Sequence, residues 1–105
     1  MSDPLVRIKR AVLSGRYEFS EKARMEMKVD GLTELDVAEA IVNAVSIRKT
    51  LRSTSPYRAH AHEKLYVIIG MNYAGMPIYT KGKLVSEASV ETYYFLVSSK
   101  RSAGW

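Results

Sequence analysis

The residues best suited to chemistry lie in the second half of the chain, where Tyr79, Lys81 and Lys83 occupy alternate positions. In an extended strand, residues two apart project from the same face, so these three side chains would share a surface. Cations neutralise phosphate groups, and an aromatic ring among them offers a platform for a nucleobase. This spacing predicts a strand face suited to single-stranded nucleic acid.

Further cations are expected close to this face. Alternation in the first strand directs Arg48 and Arg52 to the same uncovered side and leaves Lys49 on the opposite one. Lys100 and Arg101 follow at the end of the last strand, a position where sites are commonly built. An exposed face of lysine, arginine and tyrosine also arises from solubility and edge protection alone, and that interpretation stands beside the functional one.

The two histidines, His60 and His62, are separated by one residue. A His-x-His pair can ligate a metal, but a site needs further ligands, and the second half of the chain offers only three carboxylates. We therefore expect neither a metal nor a cofactor. Imidazoles titrate near neutral pH, so this pair could instead transfer protons or contact phosphate beside Arg58.

The positive charge is concentrated in the second half of the chain. The sequence of 105 residues holds 16 Lys and Arg against 11 Asp and Glu, a net charge of +5. Residues 1–45 have a net charge of −1 and residues 46–105 a net charge of +6. A basic half indicates a phosphate-rich partner, because neutralising phosphates releases condensed counterions; a solvated surface that serves solubility is the alternative.

Composition and motifs argue against several classes of protein. Without cysteine there can be no disulfide, thiolate metal site or cysteine nucleophile. The sequence lacks a glycine-rich phosphate loop, a G-x-S-x-G elbow and clustered carboxylates, which disfavours NTPases, hydrolases and two-metal nucleases. The longest uncharged stretch, residues 65–80, is too short for a membrane span, and the charged N-terminus differs from a signal peptide. We expect a cytoplasmic protein with no membrane partner.

The first half predicts three short helices. A helix over about residues 4–14 begins at the Asp3-Pro4 pair. Ser20 begins a second helix, which ends before Gly31, and Thr33 begins a third with a capping box.

The second half predicts four strands, over residues 47–54, 63–71, 76–85 and 92–99, because β-branched and aromatic residues alternate there. The second strand must lie inside the sheet, since both of its faces are apolar. Short connections favour an antiparallel meander. The sequence thus predicts a single α+β domain, residues 1–105, with three N-terminal helices packed on one face of a four-stranded, mainly antiparallel sheet.

Several short segments occur in an order and spacing that match a known family over nearly the whole chain. They are Ile8-Lys9-Arg10, Gly15-Arg16, Gly31-Leu32 and Ala40-Ile41-Val42 in the helical half, and Ile47-Arg48-Lys49-Thr50-Leu51, Ile78-Tyr79-Thr80-Lys81 and Leu96-Val97-Ser98-Ser99-Lys100 in the strand half. In these segments the chain resembles the MqsR family of bacterial toxins, within the RelE-like group of mRNA-cleaving enzymes.

The resemblance implies a RelE-like fold and a metal-independent endoribonuclease blocked by an antitoxin protein. Its substrate would be single-stranded mRNA, with the ribosome as a further candidate partner. The family's functional lysines fall on Lys49 and Lys100, and its tyrosine falls on Tyr79. The family's glutamine has no counterpart, because the chain contains no glutamine.

Cleavage of this kind needs no metal, since a deprotonated and aligned 2′-hydroxyl of RNA attacks the adjacent phosphorus. Lys81, Lys100 and Arg101 are expected to stabilise the developing charge, and Tyr79 to orient the phosphate or transfer a proton. The histidine pair supplies candidates for the base and the acid. The other expected RNA contacts are Arg48, Arg52, Arg58 and Lys83.

Two other functions fit the same surface. The domain could be a non-catalytic module that binds RNA or protein. It could also be one member of a complex in which the basic sheet receives an acidic segment of a partner protein.

Overall fold

The sheet is five-stranded in the computed structural model, which describes residues 3–52, 63–88 and 90–103. In chain order the elements are α1 (Pro4–Leu13), β1 (Tyr17–Phe19), α2 (Glu21–Asp30), α3 (Glu34–Asn43), β2 (Lys49–Arg52), β3 (Lys64–Met71), β4 (Pro77–Glu87) and β5 (Val90–Arg101). The strand order is β1-β5-β4-β3-β2, with β1 parallel to β5 and the other neighbours antiparallel. The predicted α+β class is confirmed.

The prediction of four strands is wrong for the described residues, because β1 adds a fifth. Three residues are too few for alternation to reveal a strand in a sequence. In the structure Tyr17 faces Tyr94 and Phe19 faces Leu96, so β1 lies along the outer edge of β5. Its parallel pairing makes the sheet mixed.

The helices begin where their caps indicate. Asp3 and Ser20 cap α1 and α2 with side-chain oxygens, and Thr33 and Asp36 form a capping box at the start of α3. α2 ends at Gly31, which adopts the left-handed conformation with φ of 70°. No helix in the described ranges is long and apolar enough to cross a bilayer.

The core lies between the three helices and one face of the sheet. Its fully buried side chains come from every helix and from the three longest strands: Ile8, Ala23, Val37, Ile41, Ile68, Ile78, Tyr94 and Leu96. Residues that alternate to the other face of these strands therefore lie outside the helix-covered core.

The turn between β3 and β4 is fixed by polar side chains of α3. The Asn72 side-chain amide donates to Asp36 Oδ1 at 3.1 Å, and the Tyr73 backbone N–H donates to Glu39 Oε1 at 2.9 Å. Asp36 thus caps its own helix and also holds the turn. These contacts set the direction in which β4 returns along β3.

α3 approaches β3 so closely that the contact requires glycine. A Cβ atom built on Gly70 would lie 1.9 Å from the Ala40 carbonyl oxygen and 3.3 Å from Ala44 Cβ. The nearest atom belongs to the helix backbone, which cannot move aside as a flexible side chain can. Gly70 therefore fixes the distance between helix and sheet.

We predict that Gly70→Ala lowers the free energy of unfolding by about 3 kcal/mol or more, because the added methyl must push α3 off the sheet. The matched control is Gly75→Ala: Gly75 has φ of +83° and nothing within 4 Å of a built Cβ. That variant should lose only about 1 kcal/mol through backbone strain. Urea denaturation of both variants measures the difference, and equal losses would contradict a requirement for close approach.

Candidate nucleic-acid interface

The open face of the sheet, on the side away from the helices, carries Tyr79, Lys81 and Lys83 of β4. These three are half-buried and alternate with the fully buried Ile78 and Thr80 of the helix-covered face. The spacing seen in the sequence therefore places all three side chains on one surface.

Tyr79 and Lys100 form a contact on this face. They are direct partners in the pairing of β4 with β5. The Lys100 ammonium lies 5.4 Å from the centroid of the Tyr79 ring, within the range of a cation–π interaction. The strand pairing thus sets a positive charge beside a phenol, although the two residues are far apart in sequence.

Lys49 lies on the open face as well, against the expectation from alternation. Lys49 faces Val67 across β2 and β3, and Val67 faces Lys81 across β3 and β4. Directly paired residues project from the same face, so the two lysines flank Val67 with their Cα atoms about 10 Å apart, which is two strand spacings. Val67 is 5% exposed and does not belong to the core between helices and sheet, so the surface between the two lysines is apolar; we call it the apolar floor of the open face.

The expectation that Arg52 lies on the open face is wrong. Arg52 faces Lys64 and shares its side of the sheet with Tyr66, which packs into the core. Lys49 and Arg52 do alternate, as expected, but the register with β3 reverses the two faces. Leu51 faces Leu65 on the open side, together with Lys49.

Arg48 precedes β2 at an irregular position. Its backbone N–H donates to the Val67 carbonyl at 2.8 Å, although Lys49 is the residue that faces Val67. Two consecutive residues opposite one partner are the pattern of a β-bulge. Simple alternation therefore does not assign the Arg48 side chain to a face.

A carboxylate neutralises Lys83. Its ammonium lies 3.1 Å from Glu63 Oε1 and 5.9 Å from the centroid of the Phe95 ring. The lysine and glutamate side chains are only 26% and 14% exposed. In contrast, no salt bridge within the described residues involves Lys49, Lys81 or Lys100. The uncompensated charge of the open face therefore lies on these three lysines.

A second β-bulge adjoins Lys81. The pairing of β4 with β5 shifts register after Lys81: Ser98 faces Lys81, whereas Leu96 faces Gly82. Val97 is the extra residue on β5. Bulges re-aim side chains, and this one separates the Lys100–Tyr79 contact from the Lys83–Phe95 contact.

α2 holds the end of β5 that carries Lys100. Glu26 Oε1 accepts hydrogen bonds from the Ser98 hydroxyl at 2.7 Å and from the Ser99 backbone N–H at 3.1 Å. One turn later, Asp30 Oδ2 accepts from the Arg101 backbone N–H at 2.8 Å. Two carboxylates four residues apart on one helix therefore bind the outward N–H groups of two alternate strand residues.

Arg101 lies on the other side of the strand from Lys100. It faces Ile78, whose side chain is in the core, so Arg101 does not join the three open-face lysines. Sequence reasoning missed the roles of Glu26 and Asp30, although their spacing of four residues on α2 was a signal that both could face one neighbour.

The remaining predicted site residues are His60, His62 and Arg58, and they lie outside the described residues. In residues 3–52, 63–88 and 90–103, no group of three or more histidine, aspartate or glutamate side chains is arranged as metal ligands would be. The described part of the face therefore offers cations, a phenol and apolar floor residues for binding and chemistry.

Comparisons of the chain with protein-family models, with curated proteins and with solved structures found no match.

The hydrogen bonds to Glu26 predict a pH-dependent stability. Burial raises the pKa of its carboxyl, but the bonds from Ser98 and Ser99 and the nearby charge of Lys22 outweigh this effect and hold the pKa below its usual 4.5. Between the lowered pKa of the native state and 4.5, the unfolded chain binds more protons than the native one. The stabilisation is therefore present above pH 4.5 and is lost as pH falls through the lowered pKa.

We expect Glu26→Gln to be less stable than the wild type at neutral pH and to have a shallower pH dependence in the acid range. Glutamine keeps an acceptor for the Ser99 N–H but lacks the charge. Urea denaturation at several pH values between about 3 and 6 should show the two stability curves converging as the pH falls. Parallel curves would mean that the pairing of Glu26 does not perturb its titration.

Proposed function

We propose that the protein is a metal-independent endoribonuclease that binds single-stranded RNA on the open face of its sheet. The observation that carries this proposal is the alignment of Lys49, Lys81 and Lys100 across β2, β4 and β5, with Tyr79 under the last of them. Cations without carboxylate partners favour a phosphate backbone, and the apolar floor and aromatic ring suit unstacked bases.

The reaction that suits this set of side chains is attack by the RNA's own 2′-hydroxyl. A base removes the 2′ proton, a bond forms between O2′ and the adjacent phosphorus, and the bond from phosphorus to O5′ breaks as an acid protonates O5′. The products are a 2′,3′-cyclic phosphate and a 5′-hydroxyl. Lys100 and Lys81 stabilise the extra negative charge on the phosphorane oxygens, and the Tyr79 hydroxyl donates to the phosphate or takes part in proton transfer.

A histidine of the pair His60 and His62 is the candidate for the remaining acid–base role, on sequence grounds. The segment that contains it joins β2 to β3, the strands that carry Lys49 and Val67. Imidazole titrates near neutral pH, so it can serve as either base or acid at physiological pH.

The wider assignment rests on the sequence resemblance. A RelE-like toxin acts in the cytoplasm on mRNA, alone or on the ribosome, and is inhibited by a cognate antitoxin protein. That fold is compatible with the three helices on one face of the sheet and with the four strands β2 to β5, each antiparallel to the next. β1 is an addition to it. A partner that inhibits the enzyme would need to cover the same three lysines.

Two lysines whose removal changes the net charge equally should differ in their effect on RNA binding. Lys81→Gln should weaken binding of a 2′-O-methyl RNA and reduce the slope of log affinity against log salt by about 0.7, the value for one phosphate contact on a single strand. Lys28→Gln, on the exposed side of α2, should leave the slope unchanged. Fluorescence anisotropy over a range of salt concentrations measures both.

The ion pair on the same face supplies a second comparison. In the double variant Glu63→Gln/Lys83→Gln the neutralised lysine is lost together with its partner, so RNA binding should stay close to that of the wild type. If this variant weakened binding as much as Lys81→Gln, the distinction between paired and unpaired lysines would be wrong.

In excess EDTA, the wild-type protein should cut a single-stranded RNA to products with 2′,3′-cyclic-phosphate and 5′-hydroxyl ends. Tyr79→Phe keeps the ring beneath Lys100 but removes the hydroxyl, and it should slow cleavage by about 100-fold while RNA affinity stays within about twofold. Lys100→Ala should also abolish most cleavage, and end-group analysis of the products identifies the chemistry.

Other outcomes would support other functions. Binding of RNA without cutting, with or without ribosomes, would indicate a non-catalytic binding module. Products with 3′-hydroxyl ends would contradict attack by the 2′-hydroxyl. Equal affinity for RNA and for other polyanions, without cutting, would favour a surface that receives an acidic protein segment.

A further inference from the structure

We propose that Arg52 and Lys64 form a second phosphate-binding site on the opposite side of the sheet, and that a bound RNA strand reaches it by crossing the edge of β2. This inference rests on the proposed function of the open face and extends the path of the same ligand. It concerns phosphate groups beyond those held by the three open-face lysines.

The two residues form a cross-strand pair of like charges. Arg52 and Lys64 are direct partners in the pairing of β2 with β3, and both are exposed. Like charges at directly opposed positions destabilise a sheet. Within the described residues neither of the two side chains has a salt bridge to a carboxylate, so nothing there offsets the repulsion. An anion placed between them would remove it.

The site is accessible because β2 extends beyond the cover of the helices. Thr50 and Arg52 project toward the helix side of the sheet, yet both are exposed. The partner of Thr50 on the next strand is Tyr66, which is buried in the core. The helices therefore cover β3 and leave β2 open on both sides.

The two edges of the sheet differ in a way that favours a ligand at β2. On one side the sheet ends at the three-residue β1, beyond which two carboxylates of α2 bind backbone N–H groups of β5, whereas on the other side it ends at β2, with which no further described strand pairs. Protection against aggregation explains isolated cations on an edge strand. It does not require two of them to face each other across a strand pair.

The path between the two sites is short. Lys49 and Arg52 are three residues apart on β2, so their Cα atoms are separated by about 10 Å along the strand. Lys49 projects on the open face and Arg52 on the other. An RNA strand that crosses the sheet from Lys100 through Lys81 to Lys49 arrives at this edge, where Arg48 adjoins Lys49 and the Arg52–Lys64 pair lies on the opposite face.

The test uses two lengths of 2′-O-methyl RNA. One of about 6 nucleotides covers the open face alone, and one of about 16 nucleotides is long enough to continue around the β2 edge. In the variant Arg52→Gln/Lys64→Gln, the salt slope for the long RNA should fall by about 1.4, the value for two phosphate contacts. The slope for the short RNA should stay at the wild-type value. Fluorescence anisotropy at several salt concentrations gives both slopes.

The matched control is Arg10→Gln/Lys28→Gln, which removes two exposed positive charges from α1 and α2. It should change neither slope by more than the error of measurement. Lys64→Gln alone should leave the free energy of unfolding unchanged or raise it, because it removes the repulsion with Arg52. A residue kept for folding would show a loss instead.

Each result decides between the proposals. If the long RNA binds the Arg52→Gln/Lys64→Gln variant with the wild-type slope, the second site is refuted while the open-face site stands. If both slopes fall equally, the two residues act through the open face and the extended path is refuted. If wild-type protein binds neither RNA, both proposals fail together.

Discussion

The closure of the outer edge of β5 is the interaction on which the rest of the structure depends. β1 pairs with this edge as far as Phe19, and the next residue continues the contact when the Ser20 backbone N–H donates to the Leu96 carbonyl at 2.9 Å. Further along β5, the carboxylates of Glu26 and Asp30 on α2 accept hydrogen bonds from backbone N–H groups of this edge. An unpaired edge invites association with other strands, and here the helical half of the chain removes that edge. The sheet therefore ends at the short β1 on this side and at β2 on the other, and the long strand β5 is not an edge where β1 and α2 bind it.

This arrangement explains why the two halves of the chain differ in charge. Acidic side chains of the first half accept backbone hydrogen bonds from the second: Glu26 and Asp30 from β5, and Glu39 from the turn after β3. Carboxylate oxygens accept such hydrogen bonds, so these acidic side chains serve the fold. Among the described residues of the second half, Lys49, Lys81 and Lys100 have no salt bridge to a carboxylate. These three lysines place part of the positive charge of residues 46–105 on the open face.

The sequence predicted what local rules determine. Capping residues located the helices, and β-branched alternation located β2 to β5, because both signals depend on near neighbours in the chain. Pairing does not. β1 is stable only because β5 lies beside it, and Lys49 belongs to the open face because it pairs with Val67, whose partner on β4 is Lys81. The ion pair of Lys83 joins β4 to Glu63, the residue before β3, so no spacing within β4 could show that Lys81 and Lys83 differ.

The contact between Lys100 and Tyr79 distinguishes one end of the open face, where proton transfer and charge neutralisation can combine, from the rest of that face. All three unpaired lysines can neutralise a phosphate, and the ammonium of Lys100 at the end of β5 also lies beside a phenol, which can donate or accept a proton. On the proposed function, the scissile phosphate must then lie at this end, and Lys81 and Lys49 hold the nucleotides that follow. The tyrosine ring limits where the Lys100 ammonium can lie, which reduces the freedom it must lose when a phosphate binds. The proposed function thus distributes binding over three strands and assigns chemistry to one contact, so we expect substitutions to separate affinity from cleavage.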